Sequence, residues 1–197
     1  MTVLASFYPM DGKEGVNLNA IITSVGVTTD PSIPGPPAKL GDRVQGNGGS
    51  EWLFVQASAT VTAYNMVAID AAFKAANITS ALALANIYVY GVAEFPPSQL
   101  GATVSIGNAN GGVANATDYF WAALKIAAGG KVNIMTSAGT GGAKLYISPT
   151  TPGTLTASAT AVHIQGLANI GTLTTVSVPE SLEYIQYGYI IAASTTA

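Results

Sequence analysis

The chain has 197 residues, with seven Lys or Arg, ten Asp or Glu, one His and no Cys, and 49% of it is hydrophobic. Its charged fraction of 9% is far below the ~25% of ordinary soluble domains, and its formal net charge is -3. Seven scattered basic residues make no patch for neutralising phosphates, and the lack of Cys excludes disulfides, thiolate metal sites and thiol nucleophiles.

In chain order, the first forty residues differ from the rest. Asp30-Pro31-Ser32-Ile33-Pro34-Gly35-Pro36-Pro37 favours polyproline II over helix or inner strand, so residues 1–40 read as an extended N-terminal arm or linker. The apolar pairs Val3-Leu4, Phe7-Tyr8 and Ile21-Ile22 along it point to docking rather than free solvation. The start of the chain lacks a basic and apolar leader pattern, which is the expectation for synthesis and retention in a cytoplasm.

From Gly41 the pattern is β, and residues 41–197 read as one domain. Turn clusters such as Gly46-Asn47-Gly48-Gly49 alternate with short β-branched or aromatic runs. Strands are expected over Glu51 to Ala57, Met66 to Asp70, Ile87 to Glu94, Ala102 to Ile106 and Tyr119 to Ile126. Further strands are expected over Lys131 to Met135, Lys144 to Ser148, Ala161 to Leu167, Thr172 to Val178 and Tyr184 to Ala192. Such short, closely spaced strands predict an all-β sandwich or barrel-like domain. Ala68 to Ala76 and Ser80 to Ala85 are weak helix candidates. The strand at Tyr119-Phe120-Trp121-Ala122-Ala123-Leu124 carries aromatics on both faces and reads as buried on both sides. No apolar run reaches the ~18 to 20 residues of a membrane-spanning helix.

Catalytic patterns are weak throughout. His163 alone could activate a Ser or Thr, and alternation puts it on the polar face opposite Val162 and Ile164. Gly139-Thr140-Gly141-Gly142-Ala143-Lys144 misses the phosphate-loop spacing, because Ala143 separates the glycine from the lysine. Glu180 and Glu183 read as a solvated turn before the last strand, and Asn108, Asn110 and Asp118 lack a calcium-loop pattern. Asn77-Ile78-Thr79 and Asn115-Ala116-Thr117 are chance matches to the glycosylation pattern. No catalytic residue, metal or cofactor is expected. Trp52, Phe54, Tyr119, Phe120 and Trp121 read as core, while Tyr187 and Tyr189 share a strand face suited either to self-association or to a core or surface ladder.

The run Leu40-Gly41-Asp42-Arg43-Val44-Gln45-Gly46-Asn47-Gly48-Gly49-Ser50-Glu51-Trp52-Leu53-Phe54-Val55-Gln56-Ala57-Ser58 resembles the opening of the decoration, or cement, proteins of tailed-phage capsids. Tyr64-Asn65-Met66-Val67-Ala68-Ile69-Asp70, Gly91-Val92-Ala93 and Asp118 to Leu124 are similar to that family's recurring strand cores, so the likeness spans roughly residues 40 to 126. It implies a non-enzymatic virion protein on the capsid exterior, made in the host cytoplasm, binding the major capsid protein and stabilising the shell. From the scattered basic residues and the short apolar runs, no nucleic-acid or membrane partner is expected. On this reading Phe7, Tyr8, Ile21 and Ile22 are the expected capsid contacts, and a homotrimer is expected ahead of a dimer. The alternative is a tail fibre or receptor-binding component whose loops, such as Asn108 to Asp118, contact a host glycan. A surface-layer or adhesin-like domain is a third reading, which the missing leader pattern disfavours.

Overall fold

A computed structural model describes residues 18–19, 21–22, 38–85, 88–94, 113–125, 130–134, 142, 144–158, 162–169, 178–184 and 191–194. The first half contributes β1 (Ile21–Ile22), β2 (Arg43–Gln45), β3 (Glu51–Ala57), β4 (Val61–Thr62), β5 (Met66–Ile69) and β6 (Lys74–Asn77). A five-residue helix α1 (Ser80–Leu84) follows, then β7 (Val89–Val92), β8 (Val113–Ala114) and β9 (Tyr119–Lys125). The second half contributes β10 (Gly130–Ile134), β11 (Leu145–Ile147), β12 (Leu155–Thr156), β13 (Val162–Gln165), β14 (Leu167–Asn169), β15 (Val178–Tyr184) and β16 (Ile191–Ser194).

The fold is all-β, as the strand spacing predicts. β3, β6, β5, β7 and β9 close into a five-stranded barrel, because β9 pairs with both β7 and β3. The pairs around the ring are antiparallel except β3 with β6. A register shift between Glu51 and Trp52, where β3 meets β9, supplies the extra coiling that closure of so small a barrel needs. β2 extends the far edge of β3, and β1 lies on β9 beside the position where β7 attaches. A second seven-stranded sheet runs β14-β15-β10-β12-β11-β13-β16, and β4 with β8 forms a small separate ribbon.

Two cores follow from strand alternation. Along β3, Leu53, Val55 and Ala57 fill the barrel interior with Val67 and Ile69 of β5 and Phe120, Ala122 and Leu124 of β9. The intervening Trp52, Phe54, Met66, Ala68, Trp121 and Ala123 point outward, yet they too are buried. They meet Val132, Ile134, Leu145, Ile147, Leu155, Val162 and Ile164 of the second sheet, so the barrel wall is covered by another layer. This accounts for the unbroken apolar runs of β3 and β9, whose residues are needed on both faces. The second sheet, by contrast, alternates buried Leu145 and Ile147 around half-buried Tyr146, and buried Val162 and Ile164 around half-buried His163.

Phe54 lies at the centre of the inter-layer core, stacked on Tyr119 with ring centroids 5.8 Å apart and tilted against Trp121 at 5.0 Å. The two buried indoles differ in their polar end. Trp52 Nε1 donates to Ser50 Oγ at 3.0 Å, whereas Trp121 Nε1 is buried without an acceptor.

Several sequence expectations are corrected. Ile21 and Ile22 fall inside the expected arm, but they pair with Phe120 and Tyr119 and are 0% and 3% exposed. With Leu18 they belong to the folded domain, because the edge of β9 beside β7 offers unpaired backbone groups to a short branched segment. The helix candidate Ala68 to Ala76 is instead a hairpin, the end of β5 turning into β6, since cross-strand pairing with β5 and β3 overrides the helix preference of Ala. Glu180 and Glu183 lie within β15, paired with β10 and β14 respectively, rather than in a turn. Of the expected strand at Thr172 to Val178 only Val178 is described, as the first residue of β15. Of that expected over Tyr184 to Ala192, Tyr184 ends β15 and Ile191 and Ala192 open β16, the rest of both lying outside the described residues. The helix expected over Ser80 to Ala85 is present as α1, capped by Thr79, whose hydroxyl accepts from Leu82 N. The expected strand Ala102 to Ile106 and the Pro-rich run lie outside the described residues.

Candidate functional site

Among the described residues, a cluster of buried polar groups lies at the joint between barrel and second sheet. The turn Ala63-Tyr64-Asn65 between β4 and β5 is its hub, with Tyr64 held at φ 63. A left-handed Tyr costs about 1–2 kcal/mol of backbone strain, which the bonds around it must hold in place. Tyr64 N donates to Ala93 O at 2.7 Å and Ala93 N to Asn65 O at 2.9 Å, tying the turn to the end of β7. Asn133 N on β10 donates to Tyr64 O at 2.9 Å, tying it to the second sheet.

Three amide side chains extend this link. Asn133 Nδ2 donates to Ala63 O at 2.7 Å and to Asn65 Oδ1 at 2.8 Å. Asn65 Nδ2 donates to Asn77 Oδ1 at 3.1 Å, and Asn77 Nδ2 donates to Thr60 O at 3.0 Å. A chain of amides thus crosses from β10 through the hub to β6 without placing any formal charge in a buried place. The bend between β11 and β12 joins from the other side, where Gly153 N donates to Ile78 O at 2.8 Å and Met66 N to Gly153 O at 2.7 Å. Gly153 has φ +83, and a Cβ there would lie 2.5 Å from Asn65 Nδ2, so only glycine lets the two backbones approach this closely.

Glu94, just beyond β7, completes the joint. It is 4% exposed, and its Oε1 accepts from Lys131 N at 2.6 Å. Burial pushes its carboxyl up to about 8, outweighing the Lys131 amide and the Lys131 ammonium, both of which favour the ionised form. Burial also raises the Tyr64 phenol, with the nearby Glu94 adding to the effect.

A second feature is apolar and outward. At the hairpin between β5 and β6, Asp70 Oδ1 accepts from Ala72 N and Lys74 N, each at 2.9 Å, and holds Phe73 at φ 60. Phe73, 36% exposed, lies against Gly41, next to Leu40 at 37%. Gly41 has φ +88, and a Cβ there would sit 2.5 Å from the Phe73 ring. We expect Gly41→Ala to cost about 1–2 kcal/mol in urea unfolding, chiefly from backbone strain, because the half-exposed ring can swing aside. Val89 and Leu84 are also exposed apolar residues, at 39% and 52%. Val89 faces Ile69 across the β5–β7 pair, at the same end of β5 as the Phe73 turn.

Of the residues singled out from sequence, Ile21 and Ile22 are committed to the core, and Phe7, Tyr8, Tyr187 and Tyr189 lie outside the described residues. His163 is on the outer face of β13, with its ring 6.1 Å from that of Tyr146. Asp118 accepts from Asn115 N at 2.8 Å and closes the turn before β9, and among the described residues no three acidic or His side chains gather as a metal site. Sequence reasoning missed Asn65, Asn133, Gly153 and Glu94 as a unit. Asn77 drew notice only as a chance glycosylation match, and Glu94 only as the end of a strand. The one available signal was a carboxylate closing an apolar run in a chain so poor in charge. No protein-family model, curated protein or solved structure matches this chain.

Proposed function

We propose that this chain is a structural virion protein that binds the outer surface of a tailed-phage capsid and stabilises the assembled shell. The observation that carries the reading is the place of the resembling run in the fold. Residues 40–58 build β2, the Gly48-Gly49 turn and β3, and so supply one wall of both cores. These residues serve packing rather than catalysis, which suits a protein whose task is to be a rigid surface module. The same run ends at the exposed Leu40 beside Phe73, an apolar point on an exterior short of charge.

Shell stabilisation would then come from modest apolar and neutral polar contacts to the major capsid protein, repeated over many copies. Self-association as a homotrimer, or otherwise a dimer, belongs to the same proposal. With Ile21 and Ile22 buried, the capsid contact falls instead to exposed residues such as Leu40 and Phe73.

Two measurements test this. Quantitative mass spectrometry of purified particles should find hundreds of copies per virion, and a count of tens or fewer would favour a tail fibre or receptor-binding component. Binding of the purified full chain to shells lacking it should be nearly unchanged between low salt and about 1 M salt, where ionic contacts are screened. A steep loss of binding with salt would contradict contacts built on neutral groups.

A further inference from the structure

The two halves of the chain repeat one plan. In the first, β3, β5, β6, β7 and β9 follow in chain order and close a ring in which only β3 with β6 is parallel. In the second, β10, β11, β12, the run of β13 and β14, and β15 follow in the same order, and only β10 with β12 is parallel. β13 and β14 are separated by Gly166 alone, at φ 88, so this run carries the sheet from β11 round to β15 and closes a second ring. The hairpins β5–β6 and β11–β12 match in detail. Ile69 faces Ala75 as Ile147 faces Leu155, and Asp70 N donates to Lys74 O as Ser148 N does to Thr154 O, both at 3.0 Å. Asp70 Oδ1 and Ser148 Oγ each accept from backbone N–H groups of their own turn. Phe73 at φ 60 and Gly153 at φ 83 are the matching left-handed residues.

The two tips are used differently. Gly153 caps the open end of the β5–β6 hairpin, bonding Met66 N and Ile78 O, and both of those residues are buried. The Phe73 backbone is instead satisfied inside its own barrel, donating to Asp70 O and accepting from Gln56 N, and its ring stays half exposed against Gly41. A bulky residue at positive φ is strained where Gly would not be, so the turn alone does not call for an aromatic there. By the matched pairing, Lys144 and Ser158 hold the places in β11–β12 that Met66 and Ile78 hold in β5–β6, and both are exposed. Among the described residues, each chain thus carries one protruding tip and one open hairpin end. We propose that the Phe73 tip of one copy docks on the open end of the β11–β12 hairpin of a second copy, repeating between chains the joint that Gly153 makes within one. The contact is made by side chain rather than backbone: the ring lies on the Lys144 stem and ammonium, beside half-buried Ala157. Tip and open end are different surfaces, so the association is head-to-tail, and it closes as a ring where successive copies complete a full turn. The inference does not depend on the proposed function. The shell contact proposed at Phe73 is the competing occupant, and a purified chain with no shell present separates the two.

Sedimentation velocity of the purified full chain over a range of concentrations should show assembly beyond the monomer. Phe73→Gly keeps the left-handed turn and removes only the ring, and Lys144→Glu places a carboxylate where the ring would lie. Each variant alone should sediment as a monomer with native circular dichroism. An equimolar mixture of the two should form dimers and nothing larger, because one intact tip then meets one intact open end. A native chain that stays monomeric, a Phe73→Gly chain that assembles as the native one does, or a mixture that stays monomeric would each overturn the docking. Native assembly by Phe73→Gly together with lost shell binding would assign the tip to the shell instead. If either variant fails to fold, Lys74→Cys mixed with Ser158→Cys decides in this cysteine-free chain. Disulfides joining the two different variants support the docking, and their absence overturns it.

Discussion

Gly153→Ala is expected to be among the most damaging single substitutions in this chain, lowering stability by about 3 kcal/mol or more. Two effects add. A left-handed backbone at φ +83 penalises any Cβ, and that Cβ would lie 2.5 Å from Nδ2, 2.7 Å from Cγ and 2.8 Å from Cβ of Asn65. The obstacle is a whole side chain rather than a movable tip. Asn65 is 5% exposed and bonded to both Asn77 and Asn133, so its retreat breaks the amide chain across the joint. Urea unfolding of native and substituted chains measures the effect, and a loss below about 1 kcal/mol would show that the β11–β12 bend does not need this close approach. The contrast with Gly41→Ala is instructive, because there the obstructing group is an exposed ring that can move.

Phe54→Ala should cost about 3–5 kcal/mol, the range for emptying a large aromatic site in a packed core. Phe54 is 0% exposed and touches two other rings, so the cavity is walled by rigid neighbours that collapse poorly. The loss should be accompanied by weaker docking of the second sheet, since Phe54 faces that layer and not the barrel interior. Denaturant unfolding followed by tryptophan fluorescence reads both, because Trp52 and Trp121 lie in the same layer. A cost no greater than that of Phe73→Ala, at the exposed hairpin, would contradict the two-core description.

The sequence made the inner strands legible for a physical reason. β3 and β9 are apolar on both faces because both faces are buried, and their bounds fall within a residue of those read from pattern alone. His163 was likewise placed correctly, since β13 is covered on one side only. Strands whose identity depends on partners were not legible. Lys74-Ala75-Ala76-Asn77 has weak β preference and becomes β6 only because β5 and β3 flank it. β2, β4, β8 and β12 are two or three residues long, too short for any period to show. The joint was hidden more completely. Asn65, Asn77, Asn133 and Glu94 are separated by long stretches of chain, and nothing local says that they meet. The misplaced arm contacts Ile21 and Ile22 have the same origin: a branched apolar pair reads equally well as a docking point or as a short strand, and the available edge of β9 decides.

The shortage of charge, read first as a lack of catalytic equipment, acquires a structural sense. The two layers are joined by apolar packing and amide hydrogen bonds, and among the described residues the buried carboxyl of Glu94 accepts from a backbone N–H at the same joint. A module so joined can present neutral surface outward without relying on ion pairs for its own integrity.

The most direct test of the proposed role is a cryo-electron microscopy reconstruction of the parent particle beside one from a deletion strain. The account predicts β-rich density repeated over the outer face of the capsid, absent from the deletion particles, whose shells should also rupture at lower temperature. Density confined to the tail or its fibres, with shells of unchanged strength and host adsorption lost, would contradict it.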